Sequence, residues 1–189
     1  MTRKKRANKI ILVIIIVLIV IGALIAINMS YDSIMKMQYP LEYEDMIADY
    51  SEYYGLDPYF VCAVIDTESS FDIDANSRVG AQGLMQLMPE TADWIAEKLG
   101  LSSYNAYDPE TNIAFGCWYL DYLFDNFSSK EVVLAAYNAG PNKVKQWLDD
   151  PQYSSDGVYL NNIPYEETEN YVNKVLNAYE KYVELYEIN

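Results

Sequence analysis

The chain has 189 residues and a formal charge of −15 at pH 7, with 28 Asp+Glu against 13 Lys+Arg and no histidine. That length suits one domain of roughly 150 residues plus an extension, large enough to bury a core without staples. The lack of histidine excludes Ser-His and Cys-His nucleophile pairs and His-based zinc sites. Chemistry would rest on carboxylates, tyrosines, amides or lysine, with no metal or cofactor expected. Charge is also uneven. Arg3, Lys4, Lys5, Arg6 and Lys9 all precede the first acid, Asp32, so the remainder carries 8 basic residues (13 − 5) against 28 acidic ones, or −20. A body that acidic repels phosphate backbones, and nucleic acid is not an expected partner.

In chain order, the first element is IILVIIIVLIVIGALIAI, residues 10–27, which holds 18 residues without a charge. It approaches the ~20 residues of a membrane span and exceeds the roughly 7–15 of a signal-peptide core. No A-x-A cleavage site follows, and no nearby cysteine offers lipid attachment. Basic residues mark the cytoplasmic side of such a span. The expected organisation is a cytoplasmic segment 1–9, a signal anchor 10–27, a short tether 28–40 and an extracytoplasmic domain 41–189. A cleaved signal peptide is the alternative.

The body reads as helices over about 41–54, 58–69, 89–99, 109–126, 130–138, 141–148 and 166–187. Pro58, Pro109 and Pro141 follow Asp or Gly at first helical positions, and Pro89 opens MPET, as helix starts favour. Gly55 and Gly100 fit C-terminal caps. In the last helix Tyr171, Val172, Val175, Leu176, Tyr179, Tyr182, Val183 and Tyr186 form one apolar stripe. Residues 70–88 read as a loop with a small hairpin leading to a short helical turn. Residues 149–163 read as a long loop, a feature often functional in compact domains. Cys62 and Cys117 lie in apolar helical patterns and read as small buried thiols.

Glu68 ends the apolar run VCAVIDTE, four residues after Val64 and eight after Phe60, on a face with apolar neighbours. Desolvation there raises a carboxyl pKa, and a carboxylic acid still protonated near neutrality can protonate a leaving oxygen. Taken alone, Glu68 reads better as an exposed glutamate near a frayed helix end. Gln86 in GLMQLMPETA, and Tyr137 with Asn138 in AAYNAGPNKV, add amides and a hydroxyl suited to acetamido sugars. Capping and packing explain the same motifs, and spacing leaves the choice open.

Five blocks in order decide it: ESSF at 68–71, SRVGAQGLMQLMPETA at 77–92, NIAFGCWYL at 112–120, AAYNAGPNKV at 135–144 and IPYEETENYVNKV at 163–175. Over about residues 41–187 the chain resembles the catalytic domain of the soluble lytic transglycosylases, a goose-type lysozyme-like family. The resemblance implies a mainly α, lysozyme-like fold with at most a small β-hairpin, preceded here by one transmembrane helix. It implies that Glu68 is the single catalytic acid/base. Ser77 and Gln86 match residues lining the site, and Met85 and Met88 match apolar residues of the glycan groove. Tyr137 and Asn138 match the pair facing the glutamate, and Tyr171 matches a tyrosine pointing back at it. Asp72-Ile73 stands where the family often has Asn-Pro.

Most glycosidases use two carboxylates. Asp66 lies about 200° round the helix from Glu68, and Asp72 and Asp74 read as solvated loop acids. The resemblance implies cleavage between N-acetylmuramic acid and N-acetylglucosamine, with the acetamido oxygen as internal nucleophile and 1,6-anhydromuramyl ends as product. A muramidase on the same scaffold and a non-catalytic peptidoglycan-binding module are the alternatives. Expected partners are peptidoglycan strands, the membrane through the N-terminal helix, and an envelope or secretion machine.

Overall fold

The computed structural model describes residues 3–188. The chain divides into two compact units, Met1–Gln38 and Tyr39–Asn189. The described residues of the first form one helix, α1 (Arg3–Gln38), of 36 residues, about 54 Å long at 1.5 Å per residue. Within Ile14–Gln38 it is apolar enough to cross a bilayer, with a mean hydropathy of 2.6. Residues 28–38 continue the helix, so the segment read as a tether is helical over all but its last two residues. Ser30 and Ser33 each return a hydroxyl to the carbonyl four residues back, which lets polar residues stay helical there.

The second unit is mainly α. Its helices are α2 (Glu44–Tyr54), α3 (Pro58–Ser69), α4 (Pro89–Leu99), α5 (Pro109–Asn126), α6 (Lys130–Ala139), α7 (Pro141–Leu148) and α8 (Glu166–Leu185). Pro leads α3, α4, α5 and α7, and the Asp57 and Asp108 side chains accept backbone N–H groups at the starts of α3 and α5. Gly55 and Gly100 close α2 and α4 in the left-handed conformation. The expected hairpin at 70–88 reduces to two isolated bridges, Asn76 with Gln82 and Gln82 with Leu87. The helical turn expected at its end is a set of hydrogen-bonded turns.

Helix α3 is the centre of the domain. Phe60 to Ile65 are six consecutive buried residues, the mark of a helix enclosed on all sides. It packs chiefly against α8, which also packs on α6. Cys62 and Cys117 are free, fully buried thiols in α3 and α5. Pro58 and Tyr59 before this run and Asp66 to Ser69 after it are partly exposed, and the last turn carries Glu68.

Candidate active site

Glu68 is partly exposed as a residue, yet its carboxyl sits in a desolvated environment that pushes its pKa from 4.5 up to about 7. The Tyr171 hydroxyl opposes this and lowers it somewhat. That hydroxyl is buried and has no partner meeting hydrogen-bond geometry. The pair therefore has proximity without a formed bond, and the hydroxyl remains a donor in reserve. Tyr137 completes the group. Burial and the charge of Glu68 push the phenols of both Tyr137 and Tyr171 well above their ordinary value, so both stay neutral donors.

The backbone that presents Glu68 is strained. Ser70 and Phe71 take φ of 51° and 63°, two consecutive non-glycine residues in the left-handed region. The turn ends α3 abruptly and buries Phe71 under α8, where its ring meets Tyr182. Gln86 is a third such residue, at φ 46°. Its Nε2 donates to Ala75 O at 3.1 Å and Gly83 O at 2.8 Å. Gln86 thus spends its amide nitrogen bracing the 75–86 loop and keeps Oε1 as its remaining acceptor.

Asn112, in α5, carries no role in the sequence reading, yet it holds this loop. It is buried, and its Oδ1 accepts Met85 N–H at 2.7 Å. Its Nδ2 donates to Gln82 O at 3.0 Å and Ala106 O at 2.8 Å. A side chain at Gly83 would collide with that amide and with the Ala106 carbonyl, and φ there is +73°. Met85 then accepts the Tyr137 hydroxyl on its carbonyl at 2.7 Å. A chain of bonds runs from Asn112 through the Met85 backbone to Tyr137 beside Glu68. The available signal was an Asn inside an otherwise apolar helix block, which needs buried partners.

The remaining expected residues separate. Met85 is fully buried, and Gly116 is bare because a Cβ there would strike its thioether. Its side chain is core rather than groove lining, which corrects the expectation. Met88 is partly exposed at the start of α4. The Ser77 hydroxyl accepts Ala81 N–H at 2.9 Å, closing a tight turn, and is partly exposed. Asn138 is exposed, and its Oδ1 accepts the Thr168 hydroxyl at 2.8 Å, leaving its N–H groups free.

The other acids stand apart from Glu68. Asp66 is pushed up to about 6 by burial alone, and Tyr182 and Cys62 feel its charge. Two acids two residues apart thus meet different neighbours, as opposite helix faces require. Asp72 is exposed and accepts Asp74 N–H at 3.0 Å in a local turn. Asp72 and Asp74 act electrostatically on Tyr43, whereas burial and Tyr171 are what act on Glu68.

Such a site, one desolvated carboxyl opposed by neutral phenols on a helical scaffold, is what the comparisons bear on. Residues 45–161 match the family described as Transglycosylase SLT domain, and the chain belongs to that family. It is 36% identical over 154 residues to the soluble lytic murein transglycosylase of Escherichia coli K12, covering 78% of this chain and 24% of that one. It is 31% identical over 169 residues to the membrane-bound lytic murein transglycosylase C of Haemophilus ducreyi, covering 76% and 46%. The structure of an inactive mutant of the Pseudomonas aeruginosa lytic transglycosylase Slt superposes with a TM-score of 0.69 at 30% identity, covering 82% and 26%. The chain spans about a quarter of the length of the soluble relatives. The N-terminal apolar helix fits membrane anchoring.

Proposed function

We propose that the chain is a single-pass, membrane-anchored peptidoglycan lytic transglycosylase, with its N-terminus cytoplasmic and its catalytic domain outside. The observation carrying this reading is Glu68, one carboxyl raised to about 7 between two neutral tyrosines in a chain of the transglycosylase family.

Glu68 in its acid form gives its proton to the glycosidic oxygen between N-acetylmuramic acid and N-acetylglucosamine. The C1–O bond breaks as the acetamido carbonyl oxygen of the muramyl residue attacks C1. Glu68, now carboxylate, takes the proton of the C6 hydroxyl. That oxygen closes on C1, the acetamido oxygen departs, and Glu68 is again protonated. The donor becomes the base with no second carboxylate and no water consumed. A carboxyl near 7 suits both steps, because neither protonation state is far from reach at neutral pH. In this reading Tyr171 steadies the carboxylate, Ser77 and Gln86 meet the acetamido group, Met88 meets a ring face, and Asn138 donates to hydroxyls. Anchorage suits wall remodelling beside the membrane, in the company of an envelope or secretion machine.

The test is a digest of purified peptidoglycan by the detergent-solubilised chain, read by mass spectrometry. The expected fragments are one water lighter than hydrolysis products and are absent with Glu68→Gln. Hydrated reducing ends would establish a muramidase. Binding without fragments would establish a non-catalytic module.

A further inference from the structure

An acidic cleft is lined by neither Glu68 nor any other residue assigned to catalysis. Its main lobe, about 540 Å³, is bounded by α2, the end of α4 with the following loop, and the first turns of α5. Tyr50, Tyr53, Tyr54 and Tyr104 supply its rings, and Glu110 its charge. A second lobe of about 400 Å³ shares Leu101, Ser103 and Tyr104 with the first and adds Asp93 and Glu97. The volume is that of a ligand site. Every charged residue lining the two lobes is acidic.

The cleft is also sticky. Of the eight large apolar side chains left exposed between residues 39 and 188, three surround it: Tyr53 at 78%, Leu101 at 47% and Leu99 at 39%. Its walls are braced. The Tyr104 hydroxyl donates to Asp93 at 2.6 Å, and the Tyr104 ring packs on Phe115 with centroids 5.2 Å apart. The Tyr50 hydroxyl donates to Glu110 at 3.2 Å. Each hydroxyl leaves its carboxylate further acceptor positions.

We propose that this cleft docks a short basic, apolar segment of a partner protein. Charge complementarity selects it. Arginine or lysine side chains would find carboxylates and tyrosine faces in both lobes, an arrangement favourable to cations, while leucine or aromatic neighbours cover Leu99, Leu101 and Tyr53. A glycan bearing lactyl and peptide carboxylates, or an anionic lipid, meets only like charge. The proposal is independent of the Glu68 chemistry.

The experiment uses the full chain in nanodiscs of zwitterionic lipid. The probe is a fluorescent eight-residue peptide of alternating arginine and leucine, with a glutamate–leucine peptide as control. The basic peptide is expected to bind and the acidic one not. Glu110→Gln with Asp93→Asn is expected to weaken binding about tenfold, and Tyr53→Ser, at a surface position, to weaken it several-fold. Glu68→Gln leaves it unchanged, as does Glu180→Gln with Glu187→Gln, an equal loss of charge on and just beyond α8. Circular dichroism checks that each variant is folded. No binding, or equal weakening by the α8 pair, overturns the proposal. So does a neutral chitin oligosaccharide that displaces the basic peptide, which would make the cleft a sugar subsite.

Discussion

At the scale of the residue, the proton chemistry we propose rests on two tyrosines and one carboxyl. Burial raises Glu68 from 4.5 to about 7, and Tyr171 pulls it back. Cleavage that needs the acid form therefore falls as pH rises through about 7. Tyr171→Phe removes the opposing hydroxyl, so the alkaline limb of the pH–rate profile should move upward, while kcat falls. Stability follows the same sign. A carboxyl whose folded pKa is raised contributes its full share below the unfolded value near 4.5 and loses it as pH rises through about 7. A 2.5-unit shift (7 − 4.5) caps that loss at about 3 kcal/mol, with less expected from a partly exposed group. Glu68→Gln escapes the loss. Its thermal midpoint should exceed the wild type at pH 8 and match it near pH 4, as differential scanning calorimetry would read. These pH effects rest on desolvation, which the sequence indicated only through Val64 and Phe60 on the same face.

Helices α3 and α5 and the loop between α3 and α4 hold the site together. Asn112→Ala would leave the Met85 N–H and the Gln82 and Ala106 carbonyls without their partner. The expected cost is about 2–4 kcal/mol for a cluster of buried bonds. Activity should fall further than stability explains, because Tyr137 is fixed through the Met85 carbonyl. Urea melts and cleavage assays on the same variant separate the two effects. Helix positions were legible from Pro-led starts, glycine stops and the stripe of α8, because each has a local cause. The left-handed Ser70, Phe71 and Gln86 were not, because non-glycine residues at positive φ carry no compositional mark and are imposed by packing. Met85 was misplaced for a similar reason: a methionine between groove residues looks the same whether it turns toward sugar or toward Gly116. The helical stretch 28–38 was hidden by its mixed polarity.

On the scale of the whole molecule, the two units differ in composition, the first mostly apolar and the second rich in acids. Chain beginning at residue 39 should be soluble, folded and able to cleave peptidoglycan in solution. Insolubility or a flat circular dichroism spectrum would place the boundary elsewhere. Asp66 and Glu68 are both raised, to about 6 and about 7. Asp108 and Asp156 are lowered by hydrogen bonds, and so matter only in more acid solution. The thermal midpoint should therefore rise as pH falls from 8 to 5, and fall again below about 4. Relief of repulsion in a body of −20 adds to the first trend. The five sequence blocks made the family legible; the acidic cleft was not, since its tyrosines come from two segments about fifty residues apart, α2 and the loop after α4.

The most direct measurement is a carbon-detected NMR titration of the Glu68 side-chain carboxyl in the folded chain, assigned by its loss in Glu68→Gln. A midpoint near 7, shifting upward in Tyr171→Phe, is the predicted result. A midpoint near 4.5 that ignores Tyr171 would mean a solvated helix-end glutamate, and would contradict its role as the proton donor.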